Sequence, residues 1–163
     1  MAKLDTIRAK IILPGDLNRM LALWRFQKKK IVFTNGCFDI LHRGHIEYLA
    51  NAASQGDILI IGLNTDRSVQ KIKGPTRPVQ DEQARALILA SLRFVDLVVM
   101  FDEETPYNLI KQVQPDILVK GADYKPEDIV GYDIVKAKGG EIVTIELTKG
   151  YSTTRMLEKL QKL

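Results

Sequence analysis

The stretch "IVFTNGCFDILHRGHIEYL", Ile31 to Leu49, decides how the chain folds. It opens on β-branched and aromatic residues, breaks at Gly36, and resumes after Gly44 with Ile46, Leu49, Ala50 and Ala53 on one helical face. A strand run that gives way to a helical period marks strand, loop and helix in succession. The same alternation returns along the chain. Apolar runs of strand type recur as "DILIIGL" at Asp57, "VDLVVMF" at Val95, "DILVKG" at Asp116 and "EIVTIEL" at Glu141, with helical patterns at Gln83 to Leu92 and Pro106 to Val113. Ile- and Val-rich strands alternating with helices predict an α/β fold, a five-stranded parallel sheet covered by helices on both faces.

Outward from this core, residues 1–30 read as an N-terminal helical extension. Asp16 is placed to cap an amphipathic helix running to about Lys28, with Leu17, Met20, Leu21 and Trp24 as its packing stripe. A final helix is expected from Ser152 or Thr153, with Met156, Leu157 and Leu160 facing inward. The 163 residues suit a single domain, 1–163, with its core over 31–163 and no linker. Hydrophobic residues at 45% and charged residues at 27% exclude a disordered or fibrous chain. No apolar run approaches the roughly 18 residues of a membrane span, and "MAKLDTIRAK" lacks the apolar centre of a signal peptide, so no membrane partner and a cytoplasmic location are expected.

The lone cysteine, Cys37, excludes an internal disulfide and a structural zinc site. The net charge of +4 is scattered; "KKK" at Lys28 to Lys30 is the one tight basic run and reads as a solvated helix C-terminus. Without a basic and aromatic stripe, nucleic acid is not an expected partner, and small phosphates suit the charge better.

In a parallel sheet, ligands sit beyond the carboxyl ends of the strands, where strand order reverses. The loop after the first strand holds both histidines of the chain, His42 and His45. They admit a metal site, a phosphate-binding pair, or two ordinary helix residues. A catalytic zinc normally takes three protein ligands, and only Asp39 and Glu47 stand near in sequence. Gly36 is expected to turn the chain as it leaves the strand, and Gly44 to open a helix start to an anion. There the histidines at i and i+3 would face the same phosphate.

These residues carry a family resemblance. "GCFDILHRGH" resembles the signature of the cytidylyltransferase-like nucleotidyltransferases, whose H-x-G-H motif follows the first strand of a Rossmann-like three-layer α/β/α domain; here it is His42, Arg43, Gly44 and His45. "GYSTTRM", Gly150 to Met156, matches the family's Ser/Thr motif at the last helix. Together with "KGPTRPV", "DEETP" and "LVKGADYKPEDIVG", these runs resemble the branch that adenylylates D-glycero-β-D-manno-heptose 1-phosphate with ATP, on the route to ADP-heptose for the lipopolysaccharide inner core. In that branch the domain stands behind a sugar kinase or alone, so a separate kinase is expected, and a homo-oligomer is implied. The rival branch transfers CMP to glycerol 3-phosphate or another alcohol phosphate. It carries an arginine where this chain has Leu147 in "LTKGYSTT", yet Arg93 in "SLRFVD" matches an arginine that branch uses near its nucleotide. A reading of another class is a non-catalytic nucleotide-binding regulatory module, whose sign would be a lost histidine.

The resemblance implies catalysis by positioning and charge stabilisation, without a protein nucleophile. His42, His45 and Lys73 form the expected catalytic set. Asn35, Gly36, Cys37, Phe38, Asp39, Gly44, Arg77, Arg93, Gly121, Asp123, Ser152, Thr153 and Thr154 form the expected nucleotide and phosphate contacts. Lys73 and Arg77 are placed on a Gly/Pro loop suited to closing over phosphates, and Cys37 reads as packing rather than nucleophile. Asp39 either orients a histidine or caps the turn, and Arg85 is divided between a site contact and a structural ion pair. Magnesium is expected on the phosphates, with no site made by the protein alone.

Overall fold

The Ile- and Val-rich runs become strands, and the structure, a computed structural model, describes residues 2–122, 125–148 and 150–160. The strands are β1 (Ile11–Ile12), β2 (Ile31–Gly36), β3 (Ile58–Asn64), β4 (Leu97–Phe101), β5 (Ile117–Gly121) and β6 (Glu141–Ile145). All pair in parallel in one sheet, ordered β1-β4-β3-β2-β5-β6. The helices are α1 (Lys3–Arg8), α2 (Leu17–Phe26), α3 (Arg43–Ala53), α4 (Asp66–Lys73), α5 (Glu82–Ser91), α6 (Tyr107–Val113), α7 (Tyr132–Ala137) and α8 (Thr153–Leu160).

Period-two alternation along the strands divides the core between the two faces of the sheet. Ile31, Phe33, Ile60, Leu97, Val99 and Leu118 pack on one side against Leu17, Leu21 and Trp24 of α2, Leu109, Ile110 and Val113 of α6, and Val135 of α7. Val32, Leu59, Ile61, Val98, Ile117 and Val119 pack on the other against Tyr48, Leu49 and Ala52 of α3 and Ala86, Leu89 and Ala90 of α5. Each fully buried aliphatic or aromatic side chain contributes about 1.5–3 kcal/mol relative to exposure. Both layers of the three-layer architecture are thus held by one sheet.

The sheet has six strands rather than the expected five. The region 1–30 is not purely helical: Ile11 and Ile12 pair with Val98 and Val99 and extend the sheet at its edge. Two residues closed off by Pro14 are too short to display a period. Asp16 does not cap α2 with its side chain; it ends a 3-10 turn over Pro14–Asp16, and the helix stops at Phe26. Lys28 to Lys30 are exposed beyond that helix. The side chain of Leu160 lies outside the described residues.

Carboxylates organise the amino edge of the sheet. Asp57, Asp96 and Asp116 accept from the backbone N–H groups of Lys30, Leu59 and Ile31, each at 2.8 Å, and so tie each of these segments to the start of an adjacent strand. The carboxyl edge is different. Strand order reverses between β2 and β5, whose ladder holds only Val32↔Ile117 and Phe33↔Leu118, while the β2–β3 ladder runs on to Gly36↔Leu63. Past Phe33 the two strands part, and a crevice opens at the switch point. Tyr48 plugs its floor: its hydroxyl donates to the Val119 carbonyl at 3.2 Å and shares a 2.8 Å hydrogen bond with Thr34.

Candidate active site

The loop leaving β2 is shaped by Phe38. Its φ of 44° lies in the left-handed region, which a bulky side chain occupies only when its surroundings hold it there. The expectation that Gly36 supplies the sharp turn is therefore corrected. Gly36 instead makes room: a Cβ added there would stand 3.0 Å from the Phe38 ring. That ring meets His45 edge-on, 5.5 Å between centroids. Backbone strain is thus converted into a fixed wall for one histidine.

His42 and His45 stack, with ring centroids 3.9 Å apart and planes 20° from parallel. His42 precedes α3 in an extended conformation and makes no side-chain cap, so the first turn of α3 is not closed by a side chain. Gly44 matters sterically, since a Cβ at that position would come 3.2 Å from the His42 ring. The Nδ1 atoms of both histidines are buried without a hydrogen-bond partner. Orphaned buried polar atoms are rare, and two together beside a helix N-terminus leave hydrogen-bonding capacity where an anion is favoured. Neither nearby carboxylate serves them. Glu47 accepts from Arg43 and from Thr148, and Asp39 is bound to Arg77.

Burial, then the charges of His42 and Lys73, lower the His45 pKa to about 4; burial also lowers that of His42. The shifts favour the neutral form of both rings. A histidine with a depressed folded pKa binds fewer protons folded than unfolded, so its contribution to stability is complete above about pH 6.5 and drawn down as pH falls toward 4. Urea midpoints at pH 7.5 and 5.0 test this. The wild type is expected to lose more stability between the two than His45→Gln, because Asp39 and Asp116, whose pKa values are lowered, stay ionised across that window. Equal losses would count against a buried neutral His45.

Asp39 staples the loop that follows α4. Its Oδ2 accepts from Arg77 Nε at 2.6 Å, and its Oδ1 from Val79 N at 2.8 Å and Gln80 N at 3.0 Å. Burial alone would raise its pKa, but the Gln80, Arg77 and Val79 bonds outweigh that and lower it. Asp39 therefore neither orients a histidine nor caps its own turn. Arg77 engages Asp39 in this structure rather than standing open over the crevice. Lys73 is the last residue of α4, not part of the loop; the loop begins at Gly74, whose φ of 94° ends the helix.

Arg85 is 1% exposed and binds in four directions. Nη1 donates to the carbonyls of Cys37 at 2.6 Å and Asn64 at 2.8 Å, Nη2 to Asp66 at 2.7 Å, and Nε to the Gln80 carbonyl at 3.0 Å. It clamps the loop after β2, the end of β3, the start of α4 and the loop after α4. Its role is structural.

These elements enclose a cavity of about 550 Å³ at the switch point. Asn35, Gly36, Cys37, Phe38, Asp39, His45, Lys73, Gly121 and Thr153 line it, and so does Leu147. His42 joins through its stack on His45. Burial raises the Cys37 thiol pKa, consistent with packing rather than nucleophilic use. Ser152 accepts from Arg155 N at 3.1 Å and caps α8, while Thr153 donates to the Ile40 carbonyl at 3.3 Å, and Thr154 is exposed. Arg93 is exposed before β4, at the amino edge, and does not line the cavity. Asp123 lies outside the described residues. Sequence reading missed Lys120, Tyr48 and Asn64, which also line the cavity. Lys120 carried a usable signal, a charge at the carboxyl end of an apolar strand.

Residues 33–159 match the cytidylyltransferase-like family model, which spans the switch-point loop, the histidine pair and the start of α8. The chain belongs to this family of nucleotidyltransferases. It is 51% identical to bifunctional protein HldE of Azorhizobium caulinodans, over 97% of this chain and 34% of that protein. With bifunctional protein HldE of a Caulobacter species, identity is 56% over 90% of this chain and 30% of that protein. The chain thus spans about a third of the length of the curated relatives it matches. A lipopolysaccharide core biosynthesis protein from Thermoplasma volcanium is a structural neighbour, 28% identical with a TM-score of 0.59, covering 76% of this chain and 99% of that one. Pantoate-beta-alanine ligase from Francisella tularensis, 17% identical with a TM-score of 0.59 over 94% of this chain and 78% of that one, shares the fold.

Proposed function

We propose that this domain transfers AMP from ATP to D-glycero-β-D-manno-heptose 1-phosphate, giving ADP-heptose and pyrophosphate for the lipopolysaccharide core. The observation that carries nucleotidyl transfer is the stacked pair of buried, unpartnered histidine nitrogens beside the α3 N-terminus, at the mouth of the switch-point crevice. The substrates rest on the sequence resemblance and on identities above 50% to proteins named for a bifunctional HldE. Leu147 on the cavity wall adds support, since the cytidylyl branch has an arginine there. Arg93, which favoured that branch, does not line the cavity.

In the step, an oxygen of the sugar phosphate bonds to the α-phosphorus of ATP. The bond from that phosphorus to the α,β-bridging oxygen breaks, and pyrophosphate departs with the electron pair. The acceptor is already an anion, so the protein supplies alignment and charge compensation. His42 and His45 donate to the phosphates, the N-terminus of α3 adds its dipole, and Lys73 adds a full charge. Magnesium takes mostly phosphate oxygens and water, so it would be carried by the triphosphate. When bound, it neutralises triphosphate charge.

Pyrophosphate release, measured with ATP or CTP against heptose 1-phosphate or glycerol 3-phosphate, tests this reading. Turnover is expected with ATP and heptose 1-phosphate. Turnover with CTP alone would refute it.

A further inference from the structure

The β2–β5 ladder stops at Phe33↔Leu118, yet two residues further on Lys120 Nζ reaches across the gap and donates to Asn35 Oδ1. Below this bridge the Tyr48 hydroxyl occupies the space between the strands, satisfying the Val119 carbonyl and meeting Thr34. Side chains alone therefore span the parted strands. The bridge carries the Lys120 ammonium to the mouth of the crevice, where Lys120 and Asn35 both line the cavity.

Two phosphate-bearing substrates must be brought together here against their mutual repulsion. Among the described residues, Lys73 and Lys120 are the lysines that line the cavity, and Lys120 is held by Asn35 as Arg77 is by Asp39 and Arg85 by Asp66. The two lysines approach from opposite flanks of β2: Lys73 from α4 after β3, Lys120 from β5. Lys73 belongs with the histidines, since its charge acts on His45. Lys120 lies on the other flank of β2, where a second anion would meet it. An ammonium is a compact charge suited to a phosphate met from one side.

We infer that Lys120, positioned by Asn35, holds the phosphate monoester of the acceptor substrate, leaving Lys73 and the histidine pair to the triphosphate of the nucleotide. This rests on the nucleotidyl-transfer reading above. Lys120 exchanges no proton in the step; it keeps the attacking oxygen beside the α-phosphorus while that bond forms and pyrophosphate leaves.

The test compares wild type, Lys120→Met and Asn35→Ala, using whichever nucleotide and phosphate monoester of the four-way panel the wild type turns over. Lys120→Met is expected to raise KM for the monoester roughly 10- to 100-fold, the loss of one charged hydrogen bond, and to leave nucleotide KM within about twofold. Asn35→Ala keeps the charge but not its position, so a smaller rise in the same constant is expected. If Lys120→Met does not fold by circular dichroism, Lys120→Gln carries the comparison. A rise confined to nucleotide KM, equal rises in both, a loss of kcat alone, or no change overturns the inference. A wild type that uses only CTP and glycerol 3-phosphate sinks the sugar adenylyltransferase reading, yet the Lys120 comparison proceeds on glycerol 3-phosphate. A wild type inactive with every pair removes both.

Discussion

Alanine at His42 or at His45 is expected to lower kcat by about 10²–10³-fold or more while the protein stays folded, because each removes a preorganised donor from the transferring phosphates. The rings are stacked at 3.9 Å with both Nδ1 atoms unpartnered, and on the proposed role they would meet one anion and act as a unit. The double variant should therefore lose little more than either single one. Pyrophosphate release with circular dichroism and thermal melting as folding controls measures this. Activity retained in both single variants would refute this role and restore the reading of two ordinary helix residues.

The largest stability effect is expected at Arg85. Arg85→Met keeps the aliphatic bulk but strands the Asp66 carboxylate and the carbonyls of Cys37, Asn64 and Gln80, all of which the guanidinium now satisfies. Asp66 is 33% exposed and can be rehydrated, so the loss comes chiefly from the stranded carbonyls, about 1–3 kcal/mol for each left unsatisfied. Urea denaturation should show that loss as a lower midpoint with an unchanged slope. A change under about 1 kcal/mol, the worth of one ordinary hydrogen bond, would mean that water replaces the clamp. Activity should fall as well, because the clamped segments carry Cys37, Asn64 and Lys73 to the cavity.

The histidine pair and Arg85 were unequally legible. The histidine pair was readable from order along the chain, because a helix start holds residues three apart on one face and a strand end fixes which edge they occupy. Arg85 was not. Its partners are 5, 19, 21 and 48 residues away, and no local period records contacts of that kind. The pairing of Arg77 with Asp39, 38 residues earlier in the chain, was hidden for the same reason. Gly36 was misassigned because a glycine after a strand signals a turn, while the left-handed residue is Phe38. A phenylalanine adopts that conformation only through the packing around it.

The sequence by itself determined the alternating α/β order, the two-faced core and the edge of the sheet on which the site stands. These follow from periodicities of 2 and 3.6 and from the parallel crossover, which are local properties. Tertiary structure alone decided the sixth strand, the commitment of Arg77 and Arg85, the withdrawal of Arg93 to the opposite edge, and the meeting of Lys120 with Asn35. The physical reason is strand order. A sequence lists β2 and β5 far apart, and only their pairing as neighbours, followed by their parting after Phe33, puts Lys120 across from Asn35.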